Sequence, residues 1–280
     1  MMEILNRDGF VYYDGGFGTM LIAAGKKPNE RGELLNITEP ELVEEIHRAY
    51  VDAGSDIICT NTFGAYADNL NGCGYSVYEI VSAGVAVAKR AAGDRALVAL
   101  DSGPIGELLE PYGDLTEEHA YEMFAEQMTA GEKAGADLIA IETMTAMEEV
   151  EIALRAAKEN TNLPVFVTMS FDKSGFTMMG CTIEQLAETA KRMNADAVGI
   201  NCSAGPEEML NVGERLVKSA EIPTIVKLNA GKPDMNGNYS ISPEEFAAQM
   251  TKYVPFGIKV VGGCCGTTPE YIKALKAALK

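Results

Sequence analysis

The sequence predicts a (β/α)8 barrel, in which eight parallel strands each lead into a helix. Three observations carry that expectation. Eight short β-like runs alternate with helical patterns along the 280 residues. Most runs are apolar throughout rather than alternating, as parallel strands covered on both faces require. One helix-to-strand joint also recurs, in which a residue suited to the left-handed conformation ends a helix just ahead of an apolar run.

The runs are residues 10–13, 56–60, 96–100, 138–141, 165–169, 197–200, 224–228 and 258–261. The joint reads Ala53-Gly54-Ser55-Asp56-Ile57-Ile58, again Ala134-Gly135-Ala136-Asp137-Leu138-Ile139, and more weakly Met193-Asn194-Ala195-Asp196-Ala197-Val198. Helix starts are expected at Thr38-Glu39-Pro40-Glu41 and Ser242-Pro243-Glu244-Glu245, read as capping boxes with an early proline, and at Thr268-Pro269. After the first of them Leu42, Ile46, Ala49 and Tyr50 keep the helical period. A doubly wound open sheet is the rival architecture, but no G-x-G-x-x-G follows the first run. No linker or low-complexity segment divides the chain, so residues 1–280 are expected to form one domain.

Composition narrows the function. A content of 47% hydrophobic and 23% charged residues is that of a soluble globular protein. The net charge of −18, with no lysine or arginine cluster, argues against nucleic acid and anionic membrane as partners. The longest apolar run, residues 80–88, is far short of a membrane span. Met1-Met2-Glu3 does not open a signal peptide, so a cytoplasmic location is expected. In a reducing compartment six cysteines argue for metal binding or catalysis before disulfides.

In such a barrel the chemistry gathers where the strands end. Those ends carry Asp14, Asn61, Asp101, Glu142, Ser170, Asn201-Cys202, Asn229 and Cys264-Cys265. Glycines at 262, 263 and 266 flank the vicinal cysteines, so the chain can leave the strand and turn both sulfurs toward one point. Cys202, after the sixth run, lies two strands away on the same side of the rim. Three thiolates converging there make a zinc site with its fourth position open. The bland alternative is a tight loop whose cysteines are only small buried residues. Cys59 is expected to be buried, and Cys73 and Cys181 lie in loops or near helix starts; none of the three has a partner at ligand spacing. His47 and His119 fall on helices away from the rim, against a histidine-based zinc site or a Ser–His hydrolase.

Asp14-Gly15-Gly16-Phe17-Gly18-Thr19, Thr60-Asn61-Thr62-Phe63-Gly64-Ala65, Glu142-Thr143, Gly199-Ile200-Asn201-Cys202-Ser203 and GGCCGTTP at residues 262–269 resemble the motifs of the homocysteine S-methyltransferase family. The resemblance runs from about residue 10 to 275. It is nearest to the homocysteine-binding module of the cobalamin-dependent methionine synthase branch, whose pattern Asn229-Ala230-Gly231-Lys232-Pro233 matches. The chain departs from that pattern at Leu228, where a proline is usual, and in residues 176–180. The resemblance implies Zn2+ on Cys202, Cys264 and Cys265 as the catalytic centre. It implies Asp14 and Glu142 on the homocysteine ammonium, and backbone N–H groups at Gly16 and Phe17 on its carboxylate. Asn61, Asn201 and Ser203 are expected as further substrate contacts.

A free thiol is only a few per cent ionised near pH 7, whereas a zinc-bound thiol is deprotonated. Three cysteinates leave the metal with excess negative charge, so a bound substrate sulfur stays electron-rich enough to attack a methyl group. The expected reaction is methyl transfer to homocysteine, giving methionine. The expected donor is a methyl-corrinoid (methylcobalamin) on a separate protein, because the chain lacks an Asp-x-His-x-x-Gly loop to ligate cobalt. Betaine or S-methylmethionine is the alternative donor. More remote alternatives are a phosphate-binding barrel enzyme, suggested by Gly266-Thr267-Thr268 at a helix start, and a non-enzymatic zinc or thiol sensor.

Overall fold

A computed structural model describes residues 2–27, 31–235 and 237–279. Its strands are β1 (Val11–Tyr12), β2 (Ile57–Cys59), β3 (Leu97–Ser102), β4 (Leu138–Met144), β5 (Val165–Met169), β6 (Ala197–Asn201), β7 (Thr224–Leu228) and β8 (Val260–Gly263). Every hydrogen-bonded neighbour is parallel, in the order β1-β8-β7-β6-β5-β4-β3-β2. A bridge between Tyr13 and Ile57 joins the two ends, and Asp56 N–H donates to Tyr12 O at 2.7 Å. The sheet therefore closes into a (β/α)8 barrel. Among the described residues no helix is long and apolar enough to cross a membrane.

The expected runs all contain strands, but their ends move. The last strand starts two residues later than its apolar run and continues through Gly262 and Gly263. Apolarity marks what is buried, whereas the ladder begins only where Val260 meets both Val11 and Ile225.

The recurring joint holds in all three copies. Gly54, Gly135 and Asn194 have φ of 102°, 96° and 59°, the left-handed turn that ends a helix. The aspartate that follows each one does more than the sequence suggested. Asp56, Asp137 and Asp196 accept the backbone N–H of Tyr12, Val98 and Val165 at 2.7–2.8 Å, and each also pairs with a cation, Arg7, Lys89 and Lys158 respectively. Each even strand up to β6 is thus tied at its start to the odd strand before it.

The helix starts need correction. Helix Pro40–Ala53 begins at Glu39 without a side-chain cap, and the Thr38 hydroxyl donates back to Leu34 O at 3.2 Å. Helical turns Gly32–Leu34 and Leu35–Thr38 run directly into it, so Thr38 ends one helix instead of opening the next. Ser242 does accept the N–H of Glu245, but Thr268 makes no side-chain cap. Full capping boxes occur instead at Ser76 with Glu79 and Thr182 with Gln185.

Polarity changes along the barrel axis. The lower interior is apolar and packs Val11, Ile57, Ala99, Leu138, Phe166, Ala197, Ile225 and Val260 together, with Leu5 of the N-terminal helix Met2–Asn6 among them. Two residues further along, toward the strand ends, the same inward positions are Cys59, Asp101, Thr168 and Lys227, and four beyond Leu138 stands Glu142, all buried. The alternation of a strand thus delivers a sealed polar layer directly beneath the rim.

Candidate metal centre and amino-acid site

Cys202 leaves β6 at φ 46°, and Cys264-Cys265 leave β8 just before Gly266 at φ 80°. Cys202 N–H donates to Lys227 O at 3.1 Å and Cys264 N–H to Leu228 O at 2.8 Å, so β7 anchors both loops. Asn229 completes the anchoring: its side-chain oxygen accepts Cys265 N–H at 2.9 Å and its amide donates to Ser203 O. No side chain is admissible at Gly266, where a Cβ would lie 2.2 Å from the Tyr239 ring. Backbone constraint of this kind holds the three sulfurs with all of them within 4.8 Å of one another. Cys202 Sγ and Cys265 Sγ are 3.4 Å apart.

The sulfurs share charge. Hydrogen bonds from Cys202 and Cys264 hold Cys265 as a thiolate, its pKa pulled down to about 3 with help from Tyr239. A bond from Cys264 favours the Cys202 thiolate, but its own donation to Cys265, together with burial, leaves Cys202 pushed up to about 12. Donation to both neighbours and burial push Cys264 well above the ordinary thiol range. None of the six cysteines is in a disulfide, and these three are half-buried. Three convergent, half-buried sulfurs suit a soft divalent ion such as zinc.

Beneath them lies a second cluster of different chemistry. Lys227 Nζ donates to Glu142 Oε2 at 2.6 Å, stands 4.0 Å from Asp14 Oδ1 and 3.7 Å from Cys59 Sγ, and sits 4.3 Å from the centre of the Tyr13 ring. Asp14 Oδ2 accepts Cys59 N–H at 2.7 Å, whereas Asp14 Oδ1 and Asp101 Oδ1 are sealed from solvent with no hydrogen-bond partner among the described residues. Burial raises Asp14 to about 7 against the opposing pull of Lys227, and it raises Asp101 well above the carboxylate range. Burial opposes the charge on Lys227, but Cys59, Glu142 and Asp14 around it more than restore it. Cys59 is buried as expected, yet its sulfur lies within 4.8 Å of carboxylate oxygens of Asp101 and Glu142, so it does have neighbours at ligand spacing.

Lys227 was missed from the sequence. The signal is a single lysine within the apolar run Thr224-Ile225-Val226-Lys227-Leu228, two positions before the polar strand end at Asn229.

The remaining expected substrate residues take other tasks. Gly16 N–H already donates to Thr267 O and Thr267 Oγ1, at 3.2 and 3.1 Å, which leaves it no proton for a carboxylate. A Cβ at Gly16 would meet Cys264 O at 2.7 Å, so glycine lets the first loop lie against the cysteine loop. Phe17 N–H heads the helix Phe17–Ala23, whose first-turn amides have no partner within the helix. The Asn61 amide is spent on Gly32 O and Asn36 Oδ1, at 2.7 and 3.0 Å. Ser203 Oγ joins Phe171 N–H to Asn201 O.

Asn201 is fully buried and grips Thr143, accepting its N–H and donating to its hydroxyl, both at 2.8 Å, while Thr168 donates to the same oxygen. Thr143 has φ 65°, a costly conformation for a β-branched residue, and it directly follows Glu142. Asn201 therefore braces the backbone that aims Glu142. His47 is buried against Phe17 and His119 pairs with Asp68 on the exterior, so neither stands with the cysteines.

The family model for homocysteine S-methyltransferase matches residues 11–279. Two curated relatives, the methionine synthases of Mycobacterium leprae and Mycobacterium tuberculosis, are each 31% identical over 95% of this chain. The chain spans about a quarter of their length, 24% in each case. Among solved structures, the homocysteine methyltransferase MmuM from Escherichia coli superposes with a TM-score of 0.84 in its oxidized form and 0.83 in its metallated form. Identity there is 23% and 21%, with at least 97% of both chains covered.

Proposed function

The chain belongs to the homocysteine S-methyltransferase family, and from that premise we propose that it methylates the sulfur of homocysteine to give methionine. The observation that carries this reading is the stacking of two clusters, three convergent cysteine sulfurs above a buried group of carboxylates. The first suits a thiol and the second an amine, and homocysteine carries both.

Cys202, Cys264 and Cys265 would hold one zinc ion, which supplies a substrate sulfur kept as a nucleophilic thiolate at neutral pH. Asp14 and Glu142 take the ammonium. The first-turn amides at Phe17 and Gly18 suit the carboxylate, in place of the occupied Gly16 N–H. Asn229 and Gly266 keep the sulfurs in place, so the reacting atom is fixed before the methyl donor arrives.

The donor in this reading is a methyl-corrinoid carried by a separate protein. Supporting it, the loops after β2, β3, β5 and β7 expose Phe63, Leu108, Tyr112, Phe176, Met178 and Met235 around the rim, more apolar surface than a small donor needs. His47 is buried against Phe17 and His119 pairs with Asp68, both away from the three sulfurs.

Zinc-loaded protein with homocysteine should yield methionine from a methylated corrinoid protein, weakly from free methylcobalamin, and not from betaine or S-methylmethionine. Faster turnover with either of the last two would replace the donor assignment. No methionine from any donor would overturn the reading itself.

A further inference from the structure

Asp14 and Glu142, assigned above to a substrate ammonium, already enclose a cation of the chain itself. Lys227 Nζ lies 2.6 Å from Glu142 Oε2 and 4.0 Å from Asp14 Oδ1, and its side chain is only 4% exposed. The cavity between Tyr13, Phe166, Ile225 and Lys227 measures about 10 Å³, at the limit for one water molecule. A ligand ammonium therefore cannot approach from the interior. It must come from the rim, where the Glu142 side chain keeps 12% of its surface open.

Three carboxylates, from Asp14, Asp101 and Glu142, crowd one sealed layer of the barrel. Burial favours the neutral forms of Asp14 and Asp101, and a protonated carboxyl offers an amine no charge. Among the described residues, Lys227 is the cation paired with Asp14 and Glu142 in this layer. It takes one oxygen of Glu142, and among the described residues the other makes no hydrogen bond. Asn201 fixes the same residue from the opposite side through Thr143.

Resting on the reading of Asp14 and Glu142 as the ammonium site, we propose that Lys227 is a positioning residue for amino-acid recognition. It anchors Glu142 by Oε2 from inside the barrel and leaves the second oxygen to the substrate ammonium. The carboxylate is thereby shared between a permanent cation below and a transient one above. A shared carboxylate admits thiols that carry an amine and gives no advantage to thiols that lack one.

The test is calorimetric binding of homocysteine and of its amino-free analogue, 4-sulfanylbutanoate, to zinc-loaded protein. Wild type should prefer homocysteine, and Lys227→Met should lower that preference by about tenfold or more, the range for losing a charge-assisted contact. A variant that weakens both ligands alike and keeps the wild-type preference would reduce Lys227 to a structural part and overturn the proposal. If Lys227→Met does not fold, Glu142→Gln is compared with Glu142→Gln/Lys227→Met, which removes both charges of the pair together. Equal preference in those two supports action through Glu142, and a further loss in the double variant overturns it. A wild-type protein without any preference would instead bring down the ammonium assignment on which the proposal rests.

Discussion

Two clusters share one end of the barrel and differ in almost every physical respect. The sulfur cluster is built from loops, half open to solvent, and held by backbone hydrogen bonds to β7. The lysine–carboxylate cluster is built from inward strand positions, sealed, and held by its own charges. In the proposed reaction, the groups that must meet an external reactant stand on the rim, where a fourth ligand and a methyl donor could reach them. Groups that must only attract charge are placed on rigid strands below, where low polarity strengthens each interaction. The contrast implies that damage to the first cluster should remove chemistry, whereas damage to the second should weaken binding.

The largest expected effect is on the first. Replacing Cys202, Cys264 or Cys265 with alanine should reduce methionine formation to background and abolish zinc retention, measured by metal analysis of the purified variant. The fold should survive, as circular dichroism would show, because none of the three belongs to the apolar core. Full activity in Cys264→Ala would break the comparison at its first term.

Second in size is Glu142→Ala. It should retain zinc and raise the KM for homocysteine by about 10- to 200-fold, the cost of one charge-assisted contact at roughly 1.5–3 kcal/mol. A fall in kcat with KM unchanged would mean that the lower cluster takes part in chemistry, and the division between the two would fail.

The two clusters were also unequally legible. Vicinal cysteines between glycines, with a third cysteine two strands away, form a local pattern whose meaning survives without coordinates. The helix–glycine–strand joint is equally local, and it correctly gave a parallel closed barrel. Lys227 could not be read the same way. Its partners Asp14, Cys59 and Glu142 lie 213, 168 and 85 residues away, just past β1 and on β2 and β4, and the closed barrel brings them together. Asn61, Asn201 and Ser203 show a subtler limit. Each stands close to where the strand-end argument put it, but a polar group there can face a ligand or brace a loop. The hydrogen bonds of all three run to loop backbone and neighbouring side chains, a bracing that the sequence does not show. Thr38 failed for a related reason, because a helical turn immediately before it took the position a cap would need.

Asp14 gives a smaller effect with a definite sign. Its folded pKa of about 7 lies above the unfolded value of 3.8, so between these values the folded state holds a proton that the unfolded state has lost. Its contribution to stability is therefore present below pH 3.8 and disappears as pH rises through about 7. Ammonium recognition runs the other way, since only the ionised carboxylate attracts an amine. The preference for homocysteine over 4-sulfanylbutanoate should accordingly fall as pH is lowered through 7, by up to about tenfold per unit. Taking the ratio of the two ligands cancels the titration common to their thiols. A preference that is flat from pH 8 to 6 would separate Asp14 from the amine.

Cys59 should show the smallest effect, and it tests whether the lower cluster is itself a metal site. Its sulfur and the carboxylates of Asp101 and Glu142 lie within 4.8 Å, close enough to coordinate an ion. Burial, however, pushes the Cys59 thiol well above its ordinary pKa, so it resists the deprotonation that ligation needs. Lys227 Nζ also lies within 3.7 Å of that sulfur and already bonds Glu142, placing a positive charge beside any second cation. Cys59→Ser should thus leave one zinc per chain and change the KM for homocysteine by less than about threefold, below the loss of a full hydrogen bond. Two zinc ions per wild-type chain, reduced to one by Cys59→Ser, would make the lower cluster a metal centre and erase the distinction between the two regions.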